Sequence, residues 1–171
     1  MILTSFLALL SCRNNAQRLQ VSAIYTEPQR ITKEVEETGT THTYSTRKEV
    51  TECLEPGIVM ISKTKEILTF RIQGNISPGG LNINKVKNLR FEKGEQNGNT
   101  LTLRYYVEIK KYPGKESAGV DGYNYMKNET YRLPDDVKIL KIELYEDRTN
   151  DTSNTKQKRI AQQIFNLFAK I

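Results

Sequence analysis

Hydrophobic and polar positions alternate along most of this chain, and the dominant period is two. Leu19, Val21, Ala23 and Tyr25 are separated by mostly polar neighbours until Glu27-Pro28 interrupts them, the signature of a half-buried strand. Residues 31–50 are rich in threonine and hold almost no large apolar side chain besides Ile31, Val35, Tyr44 and Val50. With a turn near Gly39, this predicts two polar strands forming a solvent-facing ribbon, in preference to the alternative of a partner-binding edge strand. After the turn Glu55-Pro56-Gly57, the continuous run Ile58-Val59-Met60-Ile61 predicts a buried central strand, and Leu68, Phe70 and Ile72 predict its hairpin partner.

Leu89 and Phe91 begin another strand, residues 96–99 (QNGN) form a hairpin turn, and Leu101, Leu103, Tyr105, Val107 and Ile109 give the cleanest alternation in the sequence. Tyr112-Pro113-Gly114 then opens what reads as a long loop to Lys127, carrying Tyr112, Tyr123 and Tyr125. Their rigid rings with polar tips make these tyrosines candidate partner-binding residues. Further on, Val137 and Ile139 are out of phase with Leu140, Ile142 and Leu144, which predicts a β-bulge near Ile139-Leu140.

Only the C-terminus changes period. At about 100° per residue, Ile160, Ile164, Phe165, Leu167, Phe168 and Ile171 share one arc, opposite Lys158, Arg159, Gln162, Asn166 and Lys170. The whole pattern predicts a mainly β domain over residues 19–171. Its expected form is an antiparallel β-sandwich or partly closed barrel of about seven or eight strands, with one C-terminal amphipathic helix over residues 155–171.

Residues 2–10 (ILTSFLALL) are uncharged, yet far fewer than the ~20 apolar residues that a spanning helix needs. Such a run is removed as a signal or packed inside a protein. Leu9-Leu10-Ser11-Cys12 resembles the lipobox of bacterial lipoproteins, in which a leucine and two apolar or small residues precede the cysteine. The resemblance implies a signal peptide over residues 1–11, lipidation of Cys12 as the first mature residue, and a polar tether over residues 12–18. It also implies a bacterial membrane location, lipid-anchored at the outer membrane and facing the periplasm or the cell surface. The alternative is a buried N-terminal element with a structural cysteine.

Charge and chemistry narrow the function classes. Lysine and arginine number 26 against 20 acidic residues, but the signs are interspersed along the chain. That mixture predicts solvated faces and no nucleic-acid binding, with a modest attraction to anionic membranes. One histidine, His42, and two cysteines cannot supply a repeated zinc pattern. No metal, cofactor or catalytic residue is expected. Cys53 is expected to be a small apolar residue if Cys12 is lipidated, or its disulfide partner in an oxidising compartment if Cys12 is not. Two functions follow. The first is a lipid-anchored, non-enzymatic binding or assembly module of the cell envelope, with the membrane and another envelope protein as partners. The second is a small unanchored enzyme or ligand carrier with a pocket near the 112–127 loop.

Overall fold

The computed structural model describes residues 18–35, 37–148 and 157–167. Residues 1–17, on which the expected signal, Cys12 and most of the expected tether fall, lie outside the described residues. Nine strands make up the described chain, and no helix is present among the described residues. β1 (Gln20–Val35), β2 (Thr40–Glu49), β3 (Gly57–Lys63), β4 (Ile67–Ile76) and β7 (Val120–Arg132) form one sheet in the order β2-β1-β7-β4-β3. β5 (Asn82–Asn97), β6 (Thr100–Pro113), β8 (Ile139–Asp147) and β9 (Gln157–Asn166) form the second, in the order β5-β6-β8-β9.

The arrangement is sandwich-like, because the alternating apolar positions of the two sheets meet in one core. From the first sheet come Leu68, Phe70, Ile72 and Ile76; the second contributes Leu101, Leu103, Val107, Leu140, Ile142 and Leu144. Phe70 and Tyr105 join the layers edge to face, with ring centroids 5.8 Å apart. Pairing is antiparallel throughout except between β6 and β8, which run parallel from Thr100↔Ile139 to Glu108↔Asp147. The chain leaves β6, crosses to the first sheet as β7, and returns as β8.

Four expectations require correction. Residues 157–166 form a strand, β9, paired antiparallel to β8 from Ile139↔Asn166 to Asp147↔Gln157. The open edge of β8 offers a full row of backbone partners, and that pairing overrides a weak helical period. Phe165 enters the core, whereas Ile164, which a packed helix would bury, is 53% exposed. Residues 155–156 and 168–171 lie outside the described residues.

β3 is an edge strand rather than a central one. Ile58 is buried, but Val59, Met60 and Ile61 are about half exposed, and a bulge falls between Met60 and Ser62. Its hairpin with β4 forms in the expected antiparallel sense. The 112–127 loop contracts to residues 114–119, because β6 runs to Pro113 and β7 starts at Val120. No bulge lies at Ile139-Leu140: Val137 precedes the strand, in a turn closed by its N–H donating to the Pro134 carbonyl, and plugs the end of the core from there. The bulge of β8 against β9 falls instead between Leu144 and Tyr145.

The threonine-rich ribbon forms as expected. β1 residues 20–25 pair with β7, but residues 26–35 pair with β2 alone, from Thr26↔Glu49 to Val35↔Thr40. About ten residues at roughly 3.3 Å each make this a two-stranded arm on the order of 30 Å long.

Candidate functional site

Three surfaces carry chemistry, and the three tyrosines singled out in the sequence do not converge on any of them. Tyr112 lies near the end of β6, 39% exposed, with the ammonium groups of Lys110 and Lys85 near its ring. Tyr123, on β7, is partly buried and donates its hydroxyl to Glu116 at 3.0 Å. Tyr125, two residues on, is 1% exposed and its ring belongs to the core. A Cβ at Gly74 would strike its hydroxyl, so this glycine makes room for the ring. Of the three, only Tyr112 offers much of its ring to a partner.

The first surface is the outer face of the second sheet. Rows of facing residues cross it from strand to strand, and one of them runs Arg90, Tyr106, Tyr145, Arg159. The Arg90 guanidinium lies 4.1 Å from the Tyr106 ring centroid, and Tyr106 stacks on Tyr145 at 5.2 Å. Beside this row, Glu143 takes bonds from Lys141 Nζ at 2.7 Å, Arg159 at 2.9 Å and the Tyr145 hydroxyl at 2.9 Å, with Arg104 Nε at 3.5 Å. Burial pushes the Glu143 carboxyl up, but the bonds from Lys141, Tyr145 and Arg159 outweigh it and hold the group at about 2. Arg90 reaches Glu92, Glu108 and Asp147 at 3.3, 3.4 and 3.5 Å. The cations of this face are thus answered by its own carboxylates. Such a surface rigidifies the sheet and offers little net field to a ligand.

The second surface is a strap. Residues 50–56 cross the outer face of the first sheet, held by two asparagines that the register places side by side on β4 and β7. Asn124 accepts the Leu54 N–H at 2.9 Å and donates to the Glu52 carbonyl at 2.7 Å, while Asn75 donates to the Leu54 carbonyl at 2.8 Å. Ile24 is buried on this side, outside the main core cluster. Cys53 sits in the strap as a half-buried free thiol. Burial and the neighbouring Glu49, Glu55 and Asp121 push its pKa up, so it stays protonated and is a poor nucleophile.

The ribbon is the third surface. Its register puts Ile31 opposite Tyr44, Lys33 opposite His42 and Val35 opposite Thr40, all on one face. Tyr44 and Val35 are exposed there, and Val21 and Tyr25 are exposed on β1 nearer the body. His42 therefore stands on an open ribbon, and Cys53 lies in the strap.

Two clefts complete the picture. One of about 450 Å3 is lined by Glu66, Lys93 and residues 131–135. The other, about 190 Å3, is lined by Arg18, Gln20, Arg71, Met126, Lys127 and Asn128. The first takes no residue from the 112–127 segment, and the second takes only Met126 and Lys127 from its end, which lie on strand β7.

The charged rows were visible as alternate residues, Arg104-Tyr106-Glu108 on β6 and Lys141-Glu143-Tyr145 on β8. What the sequence lacked was the strand order that sets β8 beside β6. The strap left no local signal, since its asparagines are distant in sequence from the carbonyls they hold. In comparisons with known proteins, no protein family, no curated protein and no solved structure matches this chain.

Proposed function

We propose that this protein is a lipid-anchored, non-enzymatic binding or assembly module of a bacterial cell envelope, tethered through Cys12. The anchor rests on the sequence: an uncharged run too short to span, ending in Leu9-Leu10-Ser11-Cys12 and followed by a polar tether. The binding role rests on the β1–β2 ribbon. An arm with Ile31, Val35 and Tyr44 on one face, supported by no third strand among the described residues, has the form of a surface made to lie against something else. Tyr112 is a further exposed aromatic, on the other sheet. Its fold is read as an open sandwich rather than a closed barrel, with β2 and β3 at the edges of one sheet and β5 and β9 at those of the other.

Intact-mass analysis of native protein and fractionation of its host test this reading together. Cleavage before Cys12, a diacylglycerol mass on that residue and recovery with membranes are expected, with Cys12→Ser releasing the chain to the soluble fraction. An unprocessed N-terminus with a free Cys12 thiol sinks the anchor.

A further inference from the structure

The two sheets treat charge on their outer faces differently. On β4 the alternate positions from Thr69 to Gln73 face away from the core, and the register sets Met126 to Arg132 of β7 beside them at alternate positions. None of these positions is aspartate or glutamate; the exposed Glu52 and Glu55 of this face belong to the strap, which crosses it beyond Gln73 at Asn75 and Asn124. Arg71 donates through Nε to the Asn128 side chain at 3.2 Å, and Arg18 joins both in lining the same cleft. Among the described residues, neither Arg18 nor Arg71 has a carboxylate partner. Lys127, also in the cleft lining, is already paired with Glu129 at 2.5 Å. Val59, opposite Arg71 on the edge strand, and Ile67, opposite Arg132, are both substantially exposed.

We infer that this face docks on the anionic phospholipid headgroups of the membrane that holds the anchor. The inference rests on the anchored reading given above and adds an orientation to it. Arg18 is six residues after Cys12, so at about 3.5 Å per residue the tether reaches at most ~20 Å, and this side of the domain stays near the bilayer. Guanidinium groups without a carboxylate partner can bind headgroup phosphates by bidentate hydrogen bonds. The exposed Val59 and Ile67 add apolar contact at the depth where headgroups meet acyl chains. No other part of the described surface joins arginines without carboxylate partners to the end of the tether.

The test uses the full chain carrying Cys12→Ser, so that no acyl group contributes. Its sedimentation is compared on vesicles of phosphatidylcholine alone and of phosphatidylcholine with roughly a third phosphatidylglycerol. Any insertion of the apolar N-terminal run acts on both vesicles, so the ratio isolates the charged face. Partitioning is expected to favour the anionic vesicles and to weaken as salt is added. Arg18→Gln and Arg71→Gln should each lower the anionic partitioning about five-fold, whereas Lys33→Gln on the ribbon leaves it unchanged. Circular dichroism confirms that each variant keeps its strand content. Equal partitioning on both vesicles, or anionic partitioning unmoved in the double arginine variant, overturns the inference. The mass of native Cys12 is read separately: a free thiol with intact vesicle preference removes the anchor and keeps the face, and an acylated cysteine without preference does the reverse.

Discussion

Strand β1 lives in two environments. Its first six residues lie between β7 and the strap, where Ile24 is buried; its last ten have β2 for a neighbour and expose nearly every side chain. The backbone geometry is the same in both halves. Burial and third-strand pairing differ, and with them the free energy of local opening. The body is held by area taken out of water, while the ribbon is held by ladder hydrogen bonds, Thr32–Thr43 contact at 3.2 Å, and the bond from Arg47 to Thr26 at 2.8 Å. A two-stranded ribbon of this kind is marginal on its own and gains most from a surface that covers it.

The sharpest way to break the comparison is to remove core area from the body. Phe70→Ala, at a fully buried position facing Tyr105, should cost about 3–5 kcal/mol in denaturant unfolding. Acid comes next. Because Glu143 is held at about 2 in the fold, against about 4.5 when unfolded, its contribution is complete above pH 4.5 and disappears as pH falls toward 2. Wild-type protein should lose roughly 2–3 kcal/mol from this group over that window. Glu143→Gln should flatten that limb of the stability profile and leave the ribbon unaffected.

Smaller effects belong to the strap and the arm. Asn124→Ala removes two hydrogen bonds to the strap, at a cost of about 1–2 kcal/mol, and should raise the rate at which Cys53 is alkylated. An unchanged alkylation rate would mean that the asparagine does not hold the strap down. Tyr44→Ala should change stability by less than about 0.5 kcal/mol. Hydrogen exchange read residue by residue places the boundary: amides of residues 26–35 and 40–49 should exchange well before those of β4, β6 and β8. Uniform protection across β1 would erase the distinction.

Where one face of a strand is buried and the other solvated, period two appears directly in the residues, and β4 and β6 were legible for that reason. The ribbon was legible through the opposite property, a stretch with strand propensity and too few apolar residues to be covered. Errors arose where local pattern and tertiary position part company. At β3 four consecutive apolar residues suggested burial on both faces, yet the strand ended at an edge with three of them half exposed. At β9 the spacing of Ile160, Ile164 and Phe165 fits a helix, and only the vacant edge of β8 made a strand the better solution. The candidate membrane face was illegible because Arg18, Arg71 and Asn128 are brought together by β1, β4 and β7, whose adjacency no local pattern encodes.

The adjacency of β1 and β7 also dictates an order of events. Gln20 pairs with Met126, so the first strand of the body waits for more than a hundred further residues before its permanent neighbour exists. Until then β2 is the one native neighbour available to it among the described strands, and the hairpin that later becomes the arm can form first. Closing the body across such sequence separations, with a parallel β6–β8 pair made only after the chain has visited the opposite sheet, places its folding in the slow range of milliseconds to seconds. Before β7 emerges, the nascent chain can therefore hold the β1–β2, β3–β4 and β5–β6 hairpins but not the sheets that join them.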